Sequence, residues 1–232
     1  MNKKYEHIFF DLDHTLWDFE TNSAESLEQI FDEFELTESG IANKEIFIER
    51  YHHHNEIYWS QFHRGEITRE TLRYIRFKTT LEEFGIKHGE LGEQMAESYL
   101  QILPTKKKLF IDTIDVLDYL FPKYKLHIIT NGFHEVQEKK IVGSNLKKYF
   151  SQIITSEIAG AQKPEREIFK FAFERSGAKL HNSIFVGDSL EADVEGAKNY
   201  GMDYVFYNPK RTIHDEIIMH EIAELVELKK ML

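Results

Sequence analysis

His7-Ile8-Phe9-Phe10-Asp11-Leu12-Asp13-His14-Thr15-Leu16 is the stretch on which the fold turns. Its first four residues read as a short buried strand, and polar residues begin where the strand stops. A central strand of a parallel sheet presents its chemistry at that carboxyl edge. Two later stretches repeat the pattern: Lys125-Leu126-His127-Ile128-Ile129 runs into Thr130-Asn131-Gly132, and Ser183-Ile184-Phe185-Val186 runs into Gly187-Asp188. Weaker strands are predicted at Gln152-Ile153-Ile154 and Tyr204-Val205-Phe206. Helical spacing separates them. Leu117, Leu120 and Phe121 precede the second strand, Ile168, Phe169 and Ala172 precede the third, and Gly177 and Gly201 stand where helix C-caps belong. Such alternation predicts an α/β fold, a doubly wound parallel sheet.

About a hundred residues between the first two strong strands read as helix throughout, too many for one crossover connection. An inserted helical domain over 17–102 is therefore predicted, with the core made from 1–16 and 103–232. In the insert Asn22 reads as an N-cap with Glu25 three residues on. Phe47, Tyr51, His54, Tyr58 and Phe62 form an apolar stripe, and Thr68 caps a further helix through Leu72 and Ile75.

Composition narrows the function. The 232 residues carry 29 basic and 40 acidic side chains, a formal charge of −11. That balance repels phosphate backbones and anionic lipid, so neither a nucleic acid polymer nor a membrane is an expected partner. A small anionic substrate remains compatible if local cations reverse the sign inside a cleft. With no cysteine, the chain forms no disulfide, thiolate nucleophile or Cys-based zinc site, which fits a reducing cytoplasm. The first apolar run is too short for a signal peptide and no stretch reaches membrane-spanning length, so the protein is read as soluble, unprocessed and cytoplasmic. Its state is expected to be monomer or homodimer.

Four strand-end clusters could carry chemistry, and each has a plainer reading. Asp11 and Asp13 would diverge in a continued strand but can converge in a loop; alone, such a pair often caps a turn. Thr130-Asn131-Gly132 offers a hydroxyl and successive N–H groups that suit phosphate oxygens, or a capped turn. Lys163-Pro164 sets a cation before a helix whose first position suits proline; in isolation it reads as a solvated lysine. Gly187-Asp188-Ser189-Leu190-Glu191-Ala192-Asp193 adds two carboxylates, or another capped turn. Together they bring carboxylates, donors and a cation to one sheet edge.

In this order the clusters resemble the four motifs of the haloacid dehalogenase-like hydrolase superfamily: Asp11-x-Asp13-x-Thr15, Thr130, Lys163, and Gly187-Asp188-x-x-x-x-Asp193. The resemblance implies a Rossmann-like core over 1–16 and 103–232, with the insert as a helical cap. It implies Asp11 as the nucleophile that forms an aspartyl-phosphate, and Asp13 as the acid and base for leaving oxygen and water. A carboxylate facing phosphate is repelled, by about 4 kcal/mol per pair of unit charges at ~4 Å and an effective dielectric of 20, so cations must offset it. The resemblance supplies them as Mg²⁺, held by Asp11, Asp188 and the Asp13 carbonyl, and as Lys163. Thr130, Asn131 and Gly132 are implied to hold phosphate oxygens, and Asp193 to orient the metal water or Lys163. An acid at 13 favours phosphate esters over halide, which needs no proton on leaving.

In the insert, three adjacent histidines, His52, His53 and His54, face different ways on a helix and cannot close on one ion. Arg64 in Arg64-Gly65-Glu66 lies between two predicted helices, where a loop could present a guanidinium to substrate. The extension Trp17-Asp18-Phe19 resembles the branch containing pyrimidine 5′-nucleotidases, in which Trp17 either stacks on a base or packs the hinge. A small phosphorylated substrate, a nucleoside monophosphate, is the leading expectation. A sugar-phosphate or phosphoglycolate-type phosphatase, a phosphomutase and a non-enzymatic nucleotide-binding module are the competing readings.

Overall fold

The computed structural model describes residues 5–87 and 89–232. The chain divides into two compact units, Met1–Phe19 with Lys107–Leu232, and Glu20–Lys106. The divisions fall at 19/20 and 106/107 instead of 16/17 and 102/103. The outward shift at the first has a local cause: Trp17 bridges to both Asp13 and Leu109, and the Asp18 N–H donates to the Lys108 carbonyl, which ties the start of the insertion to the first unit.

The first unit is built on β1 (His7–Phe10), β2 (Lys125–Thr130), β3 (Phe150–Thr155), β4 (Ser183–Gly187), β5 (Asp203–Tyr207) and a short β6 (Glu221–Ile222). They form one sheet in the order β3-β2-β1-β4-β5-β6, with every neighbouring pair parallel. All four residues of β1 and all five of β4 are buried, because helices cover both faces of a parallel sheet and leave neither side for polar residues. The chain winds one way from β1 to β2 and β3, then crosses back to β4 on the other flank. The switch point therefore lies between β1 and β4, where loops at the carboxyl ends diverge and leave a crevice. The two-residue β6, with only Ile222 buried, carries too little pattern to stand out in the sequence.

The second unit is built on the helices α1 (Phe19–Glu33), α2 (Lys44–His63), α3 (Arg69–Glu83) and α4 (Gly89–Ile102). Thr68 accepts the Thr71 N–H at 3.2 Å and caps α3. Asn22 is not a cap: α1 begins at Phe19, and Asn22 is buried inside it. Phe47, Tyr51 and His54 of the α2 stripe are buried, with the Tyr51 ring 4.5 Å from that of Phe77.

In the first unit α5 (Thr113–Leu120), α6 (His134–Gly143), α7 (Ser156–Ala159), α8 (Arg166–Ser176), α9 (Glu195–Tyr200) and α10 (Leu228–Met231) follow. Gly177 and Gly201, at φ 70° and 86°, end α8 and α9 in the left-handed conformation that glycine adopts at little cost. One face of the sheet packs Phe9 and Phe185 against Phe169 of α8 and Ala197 of α9, the Phe169 and Phe185 rings meeting edge-on at 5.8 Å. Among the described residues no helix is long and apolar enough to cross a membrane.

Candidate active site

The loop after β1 decides where the first two carboxylates stand. Asp11 is tied to β4 by its N–H to the Val186 carbonyl, and the chain then curls: Leu16 and Trp17 both donate N–H bonds to the Leu12 carbonyl, and His14 donates to the Trp17 carbonyl. His14 takes the turn at φ 65°. Asp11 and Asp13 consequently leave the alternation of a strand and lie near enough for the charge of Asp13 to raise the pKa of Asp11. Thr15 reaches across the crevice and donates its hydroxyl to Asp188 Oδ1 at 3.0 Å.

Lys163 joins the elements. It is 2% exposed, and its ammonium donates to Asp11 Oδ1 at 2.5 Å and Asp193 Oδ1 at 2.6 Å. The solvated-lysine reading is therefore excluded. Pro164 stands two residues ahead of α8, not at its first position. The backbone of Lys163 is held by the Asn131 side chain, which accepts its N–H at 2.8 Å and donates to its carbonyl at 2.9 Å. Asn131, expected to meet phosphate through its own N–H, thus also positions the lysine. Asp193 sits on a widened turn over Leu190–Val194, in which Val194 and Glu195 donate to carbonyls five residues back. Such turns displace side chains from ordinary helical positions and recur at functional sites. The other oxygen of Asp193 accepts the Ser189 N–H at 3.0 Å. Gly187 makes room: a Cβ there would lie 2.3 Å from Asp193 Oδ2.

Asp13 is held from α6. Gln137 Nε2 donates to Asp13 Oδ2 at 2.7 Å and Lys140 Nζ to Asp13 Oδ1 at 2.7 Å. Gln137 Nε2 also donates to Thr130 Oγ1 at 2.7 Å, and the Gly132 N–H donates to the same oxygen at 3.2 Å. A Cβ at Gly132 would lie 2.3 Å from Gln137 Nε2, so the amide reaches Thr130 only over a glycine. Gln137 and Lys140 escaped sequence reasoning. The available signal was their i, i+3 spacing on the helix after Thr130, which puts them on one face.

Four carboxylates, Asp11, Asp13, Asp188 and Asp193, share this region with two buried lysines, an excess of two negative charges when all are ionised. Burial pushes the Asp11 carboxyl up to about 7; Asp193 and Asp13 push the same way, and Lys163 only partly offsets them. Burial, then Asp11 and Asp193, raise Asp188 well above the carboxylate range. Burial lowers the Lys163 ammonium, but Asp11 and Asp193 outweigh it and its pKa ends above the ordinary value. Carboxylate oxygens of Asp11, Asp188 and Asp193 lie within 4.8 Å of one another. Among the described residues, the side-chain hydrogen bonds to Asp11 and Asp188 engage one oxygen of each. An all-oxygen donor set with surplus negative charge fits a hard divalent cation.

Trp17 and Arg64, the two remaining expected substrate contacts, each have partners within their own unit. Trp17 is fully buried, with the Lys140 ammonium 4.2 Å from its ring centroid, so its ring packs and offers no face to a base. Arg64 is in the second unit, where its exposed guanidinium donates to Glu66 and to Ser60 Oγ at 2.6 Å.

A family model described as haloacid dehalogenase-like hydrolase matches residues 5–201. Pyrimidine 5′-nucleotidase PynA of Streptococcus pneumoniae is 31% identical over 88% of this chain and 84% of its own. Pyrimidine 5′-nucleotidase YjjG of Escherichia coli is 28% identical over 99% of this chain and 98% of its own. A magnesium-bound crystal structure of the HAD-hydrolase YfnB from Bacillus subtilis superimposes with a TM-score of 0.87 at 31% identity, covering 98% of each chain.

Proposed function

We propose, because this chain belongs to the haloacid dehalogenase-like hydrolase family, that it is a Mg²⁺-dependent phosphomonoesterase acting through Asp11, with pyrimidine nucleoside monophosphates as substrates. The observation that carries the reading is the held carboxylate of Asp13, two residues beyond the lysine-paired Asp11. Ester cleavage needs a proton for the departing oxygen, and a binding module would have no use for an acid fixed beside a nucleophile.

The chain's own groups supply the remaining parts. Asp11 attacks phosphorus with the carboxylate oxygen that Lys163 does not hold. The Lys163 ammonium has a third N–H beyond its two carboxylate bonds, available to a phosphoryl oxygen. Thr130 Oγ1 accepts two hydrogen bonds, which leaves its proton to donate. Asp13 protonates the leaving oxygen as the ester bond breaks, and takes a proton from the water that then releases phosphate from Asp11. Asp11 and Asp188, with the Asp13 carbonyl, would hold the Mg²⁺, and Asp193 orients Lys163. When bound, the cation neutralises charge on the phosphoryl group.

The nucleotide preference rests on similarity to PynA and YjjG. The helical unit is assigned the role of a cap that excludes water, in keeping with the interdomain movement described for YfnB. Phosphate release with Mg²⁺ tests the proposal across dUMP, dTMP, UMP and a set of sugar phosphates. The pyrimidine nucleotides are expected to turn over fastest, and Asp11→Asn to abolish release while the protein stays folded. A preference for sugar phosphates would reject the nucleotidase assignment; release by Asp11→Asn would reject the mechanism.

A further inference from the structure

We infer that Lys140 and Gln137, with Lys140 seated on Trp17, are positioning residues that fix the Asp13 carboxylate for proton delivery to the leaving oxygen, an inference that rests on the phosphomonoesterase reading. Lys140 is 2% exposed, and its carboxylate contact is Asp13, 127 positions away. Its ammonium stands 4.2 Å from the centroid of the Trp17 ring and 5.4 Å from that of Phe19. A lysine buried this deeply loses its hydration and would pack more cheaply as an apolar residue, so the fold alone does not call for it.

Gln137 carries the second sign. It is fully buried, and its Oε1 has no hydrogen-bond partner among the described residues, while its Nε2 serves both Asp13 and Thr130. The reversed amide would set Oε1 against the Asp13 carboxylate, losing that bond and drawing the Thr130 proton away from the site. An orphaned acceptor is thus tolerated in order to keep one donor group on the proton-carrying acid and the phosphate-facing hydroxyl together. Each Asp13 oxygen is engaged once from α6, which fixes the plane of the carboxylate. One lone pair on each remains for the proton. As the bond between phosphorus and the leaving oxygen breaks and the bond from Asp11 forms, the proton passes from Asp13 to the leaving oxygen. Because kcat/KM runs only to departure of the leaving group, before the attack of water that Asp13 also serves, misorienting Asp13 lowers it selectively for esters whose leaving oxygen needs that proton.

The test is a leaving-group series. kcat/KM is measured with Mg²⁺ for dinitrophenyl, nitrophenyl, phenyl and methyl phosphate in wild type, Lys140→Met, Lys140→Arg and Gln137→Leu, each variant checked for folding by circular dichroism. General acid–base catalysis contributes about 10²–10⁴-fold. Lys140→Met and Gln137→Leu are therefore expected to lose about 10- to 100-fold more on methyl than on dinitrophenyl phosphate, and Lys140→Arg to recover part of that selectivity. Should Lys140→Met fail to fold, Gln137→Leu gives the same reading. Equal losses along the series, or none, in a folded variant of an active enzyme overturn this inference alone. A wild type inert towards every ester overturns it together with the phosphomonoesterase reading.

Discussion

His127 offers a prediction whose size can be worked from the fold. It lies on β2, 1% exposed, with its ring stacked between those of Phe9, at 4.6 Å, and His7, at 5.2 Å. Its Nε2 is 3.0 Å from His7 Nδ1, and its Nδ1 is buried without a partner among the described residues. Burial, then the charges of His7 and Lys125, push its pKa down to about 3. The unfolded chain takes up a proton here below about pH 6.5, whereas the folded chain resists until about 3, so stability is complete above the first value and falls as the pH drops between them. The full linkage is ~5 kcal/mol, of which ~2 kcal/mol is lost by pH 5. The raised pKa values of Asp11 and Asp188 act in the opposite sense, because there the folded state binds protons that the unfolded state has released. A single pH profile therefore mixes the two effects, and a comparison with His127→Gln, which never charges, separates them. Urea unfolding at pH 8 and pH 5 without metal should bring wild type ~2 kcal/mol closer to the variant at the lower pH. A stability difference unchanged between the two pH values would refute the assignment of a depressed His127.

Two further outcomes test the candidate site. Gly187→Ala places a methyl 2.3 Å from Asp193 Oδ2, so Asp193 must leave Lys163 or the Ser189 N–H. Urea unfolding should show a loss of about 1–3 kcal/mol, with slower phosphate release; unchanged release would mean that Asp193 does not position Lys163. Magnesium should raise the thermal midpoint, by about 2.7 kcal/mol of stability at a hundredfold excess over Kd, and EDTA should reverse it. Asp188→Asn is expected to remove the effect, and an equal rise in that variant would place the ion elsewhere.

The strands β1, β2 and β4 were legible in the sequence because a parallel strand buried on both faces writes itself as a short apolar run, and each of these ends in polar residues. The order of Asp11, Thr130, Lys163 and Asp188 along the chain was legible for the same reason: each follows a strand or its loop. Asn22 misled because a buried asparagine inside α1 carries the same letters as an N-cap. Trp17 offered two readings that composition cannot separate; only its complete burial against Lys140 decides for packing.

The grip on Asp13 could not be read in advance. Gln137 and Lys140 are ordinary polar letters of an amphipathic helix, and nothing within their own segment says whether they face water or a carboxylate. That is decided when α6 docks and brings residues 124 and 127 positions from Asp13 into hydrogen-bonding distance. Asn131 likewise reads as a turn residue until its amide meets the backbone of Lys163, 32 positions on. Local pattern determined which strands form and which residues stand at their ends, because burial and turn chemistry act over a few residues. The pairing of side chains within the site was left to tertiary packing, because hydrogen bonds between distant segments depend on distances that no local pattern encodes.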